Sequence, residues 1–268
     1  MPSKVAQHWI NELASGETQR HEIKTRLQYF WFKLRPCSKQ LKQIIHLGKI
    51  RPGMKILDFG AGGGCHSVPL AYMGYEVDAL DCSDAVLKNL VTYKESVEKY
   101  AKKKLRINTI VADILESNLC LDKYDIIFSC GVMEHFVDEK ERKKVYKILA
   151  SSLRKEEDCL ITHVPNGKHP FRRRQRLEKL GGYNIEEIDY TLPIFIKDVE
   201  ETGLVLEKVK GVDLFGYLFI LPEVKERGLL RSLMKLLYFF FRLFGDWLPF
   251  AFMQKYAYRL LFSARRTR

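Results

Sequence analysis

The feature that most constrains the fold is a glycine-rich turn between an apolar run and a candidate helix. Its sequence is Asp58-Phe59-Gly60-Ala61-Gly62-Gly63-Gly64, and the apolar run before it includes Ile56 and Leu57. Glycines let the chain turn sharply and let the backbone approach a ligand without a Cβ in the way. The segment fails as a dinucleotide fingerprint, because Cys65 occupies the third glycine place, and no Gly-Lys-Ser/Thr follows as in a Walker A loop. It matches D-x-G-x-G-x-G instead.

Strand-like and helix-like segments alternate along the chain from this turn onwards. The predicted strands are 55–59, 76–80, 107–112, 124–130, 159–164, 205–212 and 258–263. The predicted helices are about 67–73, 84–102 with Ser83 as N-cap, 140–153 and 195–202. Such alternation predicts right-handed crossovers and a mostly parallel sheet with helices on both faces. We expect a helical segment at 1–50, an α/β domain at 51–268 and an apolar helical insertion at about 216–254.

Three acidic residues occupy the ends of three successive predicted strands. They are Asp58, Asp81 and Asp113. Because the carboxyl ends of parallel strands share one edge of the sheet, we expect these side chains around the glycine turn. Asp81 could there accept hydrogen bonds from two ribose hydroxyls, and Asp113 from an adenine amino group. The alternatives are a turn that binds nothing, a helix-capping role for Asp81 and a solvated loop position for Asp113.

Four segments carry a resemblance to a known family. They are LDFGAGGG at 57–64, GYEVDALDCSDAVL at 74–87, VADI at 111–114 and FSCGVMEHF at 128–136. Through them the chain resembles the class I S-adenosylmethionine-dependent methyltransferases, in the broad group related to the quinone-biosynthesis methyltransferases. The resemblance implies S-adenosylmethionine as the cofactor. It also implies a Rossmann-like, seven-stranded, mostly parallel sheet with an antiparallel last strand, for which 258–263 is the candidate.

The resemblance also implies which residues bind the cofactor. The set is Asp58, Gly60, Ala61, Gly62, Gly64, Asp81, Cys82, Asp113, Ile114 and Cys130. In this family Asp58 and the glycine turn would hold the methionine portion, and Asp81 the ribose. Asp113 and Ile114 would hold the adenine, and the backbone around Cys130 would meet the aminoacyl tail.

A hydroxyl nucleophile would benefit from a general base, and one histidine is well placed for that role. His135 lies just past the fourth predicted strand, with Glu134 beside it as an orienting partner or metal ligand. The alternative is that the pair only shapes the loop next to the cofactor. His163 and His169 are second choices, and no metal site is predicted.

The formal charge of +12 admits nucleic acid, an anionic membrane or an acidic substrate as a partner. Within 229–244, helical spacing would place Arg231, Lys235 and Arg242 in a narrow stripe beside Tyr238. We favour a lid over the active-site mouth, and the alternative is a helix lying in an anionic membrane surface. The basic run at 172–176 is expected as a solvated loop, with a grip on an acceptor phosphate or carboxylate as the alternative.

The sequence therefore predicts an S-adenosylmethionine-dependent methyltransferase that acts on a small, apolar or lipid-linked acceptor, with O-methylation favoured over C-methylation. The alternatives are an RNA methyltransferase and a membrane-attached, non-catalytic S-adenosylmethionine-binding protein. Nucleic acid is disfavoured because the fourth strand ends in Ser129-Cys130-Gly131-Val132 and not in an Asn/Asp-Pro-Pro-aromatic run.

Six scattered cysteines favour a reducing cytoplasm, with peripheral membrane association as an added alternative. The charged first 24 residues do not resemble a secretory signal. No uncharged apolar stretch is long enough to predict a membrane-spanning helix.

Overall fold

The computed structural model describes residues 2–13, 21–116, 119, 121–155, 157–178, 180, 186–214, 228–229, 232–233, 236 and 250–266. The strands are β1 (Lys55–Phe59), β2 (Glu76–Asp81), β3 (Ile107–Val111), β4 (Ile126–Cys130), β5 (Cys159–Pro165), β6 (Leu204–Val212) and β7 (Arg259–Arg266). The helices are α1 (Lys4–Glu12), α2 (Arg26–Leu34), α3 (Lys39–Gly48), α4 (Ser67–Tyr72), α5 (Asp84–Ala101), α6 (Glu139–Ser151), α7 (Arg172–Leu177), α8 (Leu192–Glu200) and α9 (Phe250–Tyr256).

The strands form one sheet in the order β3-β2-β1-β4-β5-β7-β6. Neighbours from β3 to β5 are parallel, whereas β7 runs antiparallel to both β5 and β6. The predicted mostly parallel sheet with an antiparallel last strand is therefore confirmed. The chain leaves β1 towards one edge and returns to add β4 on the other side of β1. Open α/β sheets bind ligands at such a switch point, outside the carboxyl ends of the strands.

Side chains of the central strands alternate between two hydrophobic cores, one on each face of the sheet. Leu57 and Ile127 belong to the core that includes the buried side chains of α6 and α8. Their neighbours Ile56 and Phe128 belong to the core on the opposite face, with α3 and α4. Successive side chains of a strand point to opposite faces, so a sheet covered on both sides needs continuous apolar runs. This requirement explains the mainly apolar sequences of the central strands β1, β4 and β5.

The predicted elements are present, with shifts at some ends. β4 begins at Ile126 and not at Tyr124, which forms an isolated parallel bridge with Leu153. α8 begins before the predicted residue 195, with a proline in its first turn, where a missing N–H costs no hydrogen bond. Ser83 occupies the N-cap position of α5 as predicted, although its side chain makes no capping hydrogen bond in the described structure.

The basic run at 172–176 corrects one expectation, because it is helical and not a solvated loop. It forms most of α7. Arg172 is buried and pairs with Glu187, while Arg176 lies 2.7 Å from a carboxylate oxygen of Asp189. Arg174 also pairs with Glu178, at 2.9 Å. Three of the four arginines in this run thus pair with carboxylates that follow later in the chain.

The N-terminal segment and the insertion are described in part. Helices α1, α2 and α3 lie within the expected helical segment 1–50. The basic stripe expected within 229–244 depends on Arg231, Lys235 and Arg242, which lie outside the described residues. α9 covers the end of the expected insertion and continues beyond it. Among the described residues, no helix combines the length and apolar character needed to span a bilayer.

A buried ion pair joins α6 to α8. The Arg142 Nε atom donates to Asp198 Oδ2 at 2.5 Å, and Nη2 donates to Oδ1 at 3.1 Å. The Tyr190 hydroxyl donates to the same carboxylate at 2.7 Å. Both charged side chains are almost fully buried. Removal of one partner would therefore leave the other charge in a low-dielectric interior.

We expect Arg142→Ala to lower the free energy of unfolding by about 3–5 kcal/mol, because the Asp198 carboxylate would lose its counter-charge. The matched control is Lys143→Ala on the same helix, which removes an exposed pair with Glu201 and should cost less than about 1 kcal/mol. Urea denaturation of both variants measures the difference. Equal losses of unfolding free energy in the two variants would show that the buried pair stabilises the fold no more than the exposed pair does.

Candidate functional site

A cavity of about 300 Å³ lies at the carboxyl edge of the sheet, beside the switch point between β1 and β4. Most of the predicted cofactor residues line it, on three successive strand ends and on β4. These lining residues are Gly60, Ala61, Gly62, Asp81, Cys82, Asp113, Ile114 and Cys130. Asp58 and Gly64 are not part of its lining. The structure thus brings the glycine turn and two of the three predicted acids to one cavity.

The glycine turn needs glycine for both conformation and space. Gly60 has φ +74° and Gly64 has φ +80°, a region that side chains with a Cβ rarely adopt. A Cβ on Gly60 would lie 2.3 Å from Cγ2 of Val132, and one on Gly64 would lie 2.6 Å from Cγ of Leu90. The N–H groups of Gly60 and Ala61 both donate to the Leu80 carbonyl oxygen, at 2.8 and 3.0 Å. The turn is therefore anchored to the end of β2.

The Asp81 carboxylate connects this turn to the start of α5. Its Oδ2 atom accepts a hydrogen bond from the Gly62 N–H at 2.9 Å, and Oδ1 accepts one from the Ser83 N–H at 3.0 Å. Burial raises the pKa of Asp81, while these backbone donors act in the opposite direction. An ionised carboxylate has about four acceptor positions. Two backbone hydrogen bonds therefore leave Asp81 able to accept from a ligand in the cavity.

Asp58 supports the turn and does not reach the cavity wall. It lies within β1, is 1% exposed, and accepts a hydrogen bond from the Ser67 hydroxyl at 2.6 Å. The pKa of Asp58 is raised to about 7, because burial and the nearby Asp81 charge together outweigh the Ser67 hydrogen bond, which lowers it. This carboxyl group thus links β1 to the first residue of α4, across the glycine turn.

Helix α1 covers the cavity, a feature that the sequence analysis did not predict. Ala6 and Trp9 line the cavity from this helix. The Ser3 N–H, just before α1, donates to Asp113 Oδ2 at 2.5 Å, and the Leu115 N–H donates to Oδ1 at 3.0 Å. Residues 3 and 113 are 110 positions apart. No local sequence pattern connects them, so this contact had no signal in the sequence.

The candidate catalytic pair lies outside this cavity, in a 3₁₀ turn at Met133–His135. The His135 ring lies edge-on against Trp9, with 4.9 Å between ring centroids. His135 lines a second cleft of about 480 Å³. The residues that line this second cleft are Lys4, Val5, His8, His135, Val137, Asp138, Glu141 and Glu186. Val5 lines both cavities, so they adjoin beneath α1.

Glu134 and His135 do not form the contact expected of an orienting pair. Among the described residues, no hydrogen bond joins their side chains; His135 Nδ1 lies 3.4 Å from the Glu186 carbonyl oxygen. Burial raises the pKa of Glu134 to about 8, so its carboxyl group is protonated at neutral pH. Burial lowers the pKa of His135, so its imidazole is neutral and able to accept a proton. The base role of His135 stays a prediction.

The second-choice histidines are placed elsewhere, whereas His21 and His66, which the sequence did not single out, line the cavity. His163 is buried with Nδ1 3.0 Å from the Gln40 side-chain nitrogen, and His169 stacks edge-on against Tyr258. His66 lines the cavity, and burial lowers its pKa to about 4. The position of His66 could have been predicted from the sequence, because this residue follows the glycine turn by two residues and directly precedes α4. Among the described residues, no group of three or more His, Cys, Asp or Glu is arranged to hold a metal ion.

The central part of this architecture is shared with known proteins. The family model for the methyltransferase domain matches residues 56–156, from β1 to just beyond α6. The chain carries a methyltransferase domain. This match confirms the resemblance to the class I S-adenosylmethionine-dependent methyltransferases.

Curated relatives of the methyltransferase domain come from bacteria and from a mammal. The ubiquinone biosynthesis O-methyltransferase of Pelagibacter ubique is 30% identical over 158 residues, which cover 54% of this chain and 58% of that protein. The enzyme of the same name from Rickettsia akari is 31% identical over 134 residues, covering 49% of this chain and 46% of the relative. The chain thus spans about half the length of these relatives.

Solved structures of methyltransferases share the fold at low sequence identity. The magnesium protoporphyrin IX methyltransferase from Synechocystis PCC 6803 with bound SAH has a TM-score of 0.60 and 15% identity, covering 98% of this chain and all (100%) of that chain. A methyltransferase from Methanosarcina mazei has a TM-score of 0.58 and 15% identity, covering 83% of this chain and 96% of that chain. These similarities confirm the predicted Rossmann-like fold.

We expect Gly60→Ala to lower the free energy of unfolding by about 1–3 kcal/mol more than Gly53→Ala does. Both residues have positive φ, so both variants carry backbone strain, but a Cβ at Gly53 meets nothing within 4 Å. The additional loss at Gly60 measures the collision with Val132. Urea denaturation of both variants provides the comparison. If the two losses are equal, Val132 moves aside without cost and the close approach is not a constraint.

Proposed function

We propose that this chain is an S-adenosylmethionine-dependent methyltransferase whose acceptor is a small, apolar or lipid-linked molecule. The observation that carries the proposal is the Asp81 carboxylate, held at the cavity wall by the Gly62 N–H with acceptor capacity to spare. The domain match supports S-adenosylmethionine as the cofactor, in agreement with the sequence prediction. The magnesium protoporphyrin IX methyltransferase that shares the fold was solved with SAM and with SAH.

The proposed cofactor contacts follow the order of the strands along the cavity. Gly60, Ala61 and Gly62 would let the backbone approach the methionine portion. Asp81 would accept from the ribose hydroxyls, with Cys82 beside it. In this proposal the cationic end of the ligand would lie over the glycine turn, with the Asp58 carboxyl group, whose pKa is raised, beneath that turn.

The opposite end of the cavity would hold the adenine. Each oxygen of Asp113 accepts one backbone hydrogen bond and retains a lone pair for an adenine amino group. Ile114 would pack against the ring, while the backbone at Cys130 would meet the aminoacyl tail on the β4 side. Gly64 has a supporting role in this proposal, because it does not line the cavity but allows the turn to pass Leu90.

When bound, S-adenosylmethionine supplies an electrophilic methyl group on a sulfonium. The protein then has to align the acceptor with that group and exclude water. Ala6 and Trp9 of α1 cover the cavity and would exclude water from it. His135 would take the proton of an acceptor hydroxyl held in the second cleft, which adjoins the cofactor cavity at Val5.

The position of Trp9 favours one alternative function. The Trp9 ring lies against His135 and also lines the cofactor cavity. Transfer of the methyl group from the cofactor to an acceptor next to His135 would therefore require α1 or Trp9 to move. A non-catalytic S-adenosylmethionine-binding protein would need no such path. O-methylation is nevertheless the favoured activity, because the curated relatives are named ubiquinone biosynthesis O-methyltransferases.

We also propose the division into a helical segment at 1–50 and a methyltransferase domain at 51–268, and a cytoplasmic location. Free thiols support a reducing compartment. The free cysteines in the described residues are Cys37, Cys65, Cys82, Cys130 and Cys159. The alternative of an anionic membrane contact through 229–244 stays a proposal, since most of that segment lies outside the described residues.

Asp81→Ala should weaken S-adenosylmethionine binding by about 1–3 kcal/mol, because hydrogen bonds from the ribose to a charged acceptor are lost. Isothermal titration calorimetry measures the change. The matched control is Asp84→Ala, which removes an exposed carboxylate paired with Lys88 and should leave binding unaltered. Unchanged binding in Asp81→Ala would contradict the proposed cofactor placement.

His135→Gln should lower kcat at least about 100-fold on a hydroxyl acceptor, because the general base is lost. Polyprenylated catechols and methyl-labelled S-adenosylmethionine are the probes, with label expected on the acceptor oxygen. The control is His46→Gln on the exposed side of α3, with calorimetry to confirm that both variants still bind the cofactor. A normal rate in His135→Gln would exclude the base role. Cofactor binding without label transfer to any acceptor would favour the non-catalytic alternative.

A further inference from the structure

Helix α2 exposes an apolar stripe that faces away from the rest of the described structure. Leu27, Phe30, Trp31 and Leu34 are 65%, 51%, 59% and 56% exposed. Their spacing is i, i+3, i+4 and i+7, which confines them to about 100° of the helix surface. The Phe30 and Trp31 rings contact each other edge-to-face at 5.6 Å. Four large apolar side chains on one exposed helix face are more than the scattered surface residues of an ordinary protein.

The opposite face of α2 holds the helix on the protein without help from the stripe. Tyr29 stacks on Tyr100 with 5.7 Å between ring centroids, and its hydroxyl lies 3.3 Å from that of Tyr72. Phe32 packs against Tyr72 at 4.9 Å. A capping box at Thr25 fixes the first turn of the helix. The stripe is therefore presented on a helix whose position is already determined by other contacts.

Positive charges lie within α2 and next to both of its ends, and this stretch of sequence contains no acidic residue. Residues 24–35 contain Lys24, Arg26, Lys33 and Arg35 and no Asp or Glu, although the Lys24 Nζ atom lies 3.8 Å from a carboxylate oxygen of Glu22. Helical geometry places Arg26 and Lys33 beside Phe30. Arg35 is the C-cap residue and directly follows Leu34 of the stripe. More cations lie next to the inner face, since the Lys103 Nζ atom is 4.3 Å from the centroid of the Tyr72 ring.

The combination of an apolar stripe and neighbouring cations distinguishes between two candidate binding partners, a second copy of the chain and a lipid bilayer. A second copy of the chain, related by a two-fold axis, would bring the cations in and beside one α2 close to the same cations of the other. Such like-charge juxtaposition opposes association. A bilayer with anionic headgroups satisfies both features, because the apolar side chains enter the acyl boundary while Lys and Arg remain at the headgroups.

We propose that α2 is an in-plane anchor that binds this protein to anionic membrane surfaces through Leu27, Phe30, Trp31 and Leu34. The anchor lies close to the cofactor cavity: the Tyr93 ring contacts Phe32 of α2 at 6.3 Å and His21, which lines the cavity, at 5.6 Å. A lipid-linked acceptor would then reach the site from the bilayer. That last point rests on the proposed function, whereas the membrane contact does not.

The test is sedimentation of the full chain with vesicles of phosphatidylcholine alone or with about one-third phosphatidylserine. We expect binding to the anionic vesicles only, and weaker binding at high ionic strength. The double variant Phe30→Ser/Trp31→Ser should bind these vesicles at least about tenfold more weakly. The matched control is Leu177→Ser/Ile196→Ser, which removes two exposed apolar side chains from α7 and α8 and should bind as the native chain does.

Calorimetric titration with S-adenosylmethionine shows whether each variant is folded and separates this inference from the proposed function. A chain that binds vesicles through α2 but not the cofactor would support the anchor and contradict the proposed function. Undiminished vesicle binding by Phe30→Ser/Trp31→Ser would overturn the anchor, as would the absence of binding by the native chain. A native dimer that this variant dissociates, without vesicle binding, would assign the stripe to self-association and also overturn it.

Discussion

The hydrogen bond from the Gly62 N–H to the Asp81 carboxylate is the contact on which the candidate site depends. It exists because β1 and β2 pair in parallel with Phe59 opposite Leu80, so the turn that leaves β1 passes the end of β2. A slip of one residue in this register would turn the carboxylate to the other face of the sheet. The register in turn is determined by apolar side chains that fill a core on each face. Core packing and ligand chemistry are thus connected through one pair of strands.

The sheet could be predicted because its strands and turns have requirements that are visible in short segments of the sequence. A strand buried on both faces must be largely apolar, and glycines are favoured after it where the backbone takes positive φ. The segment from Ile56 to Gly64 contains both signals. Strand and helix ends were less predictable, since they depend on neighbours: Tyr124 looks like part of β4 but forms a separate bridge to Leu153.

The parts of the site that the sequence did not reveal depend on contacts between distant segments. Arg172 looked solvated because nothing beside it in the chain shows that Glu187 pairs with it. His135 follows β4 as expected, but Trp9 of the N-terminal helix lies against it and separates it from the cofactor cavity. His66 differs, because its place after the glycine turn was a usable signal. The order of residues along the chain therefore predicted which side chains lie at the edge of the sheet, but it did not predict which cavity each side chain lines.

The attachment of α1 through the Ser3 amide and Asp113 has a consequence for ligand exchange. A ligand enclosed between this helix and the sheet touches a first turn that is held by the Ser3 N–H bond to Asp113, a Cys82 thiol contact to the Ala6 carbonyl oxygen and a few apolar side chains. Segments with so few contacts open locally at far lower cost than the whole domain unfolds. Residence time of a ligand in the cavity is therefore coupled to local opening of α1, and occupancy of the cavity should slow amide hydrogen exchange in this helix.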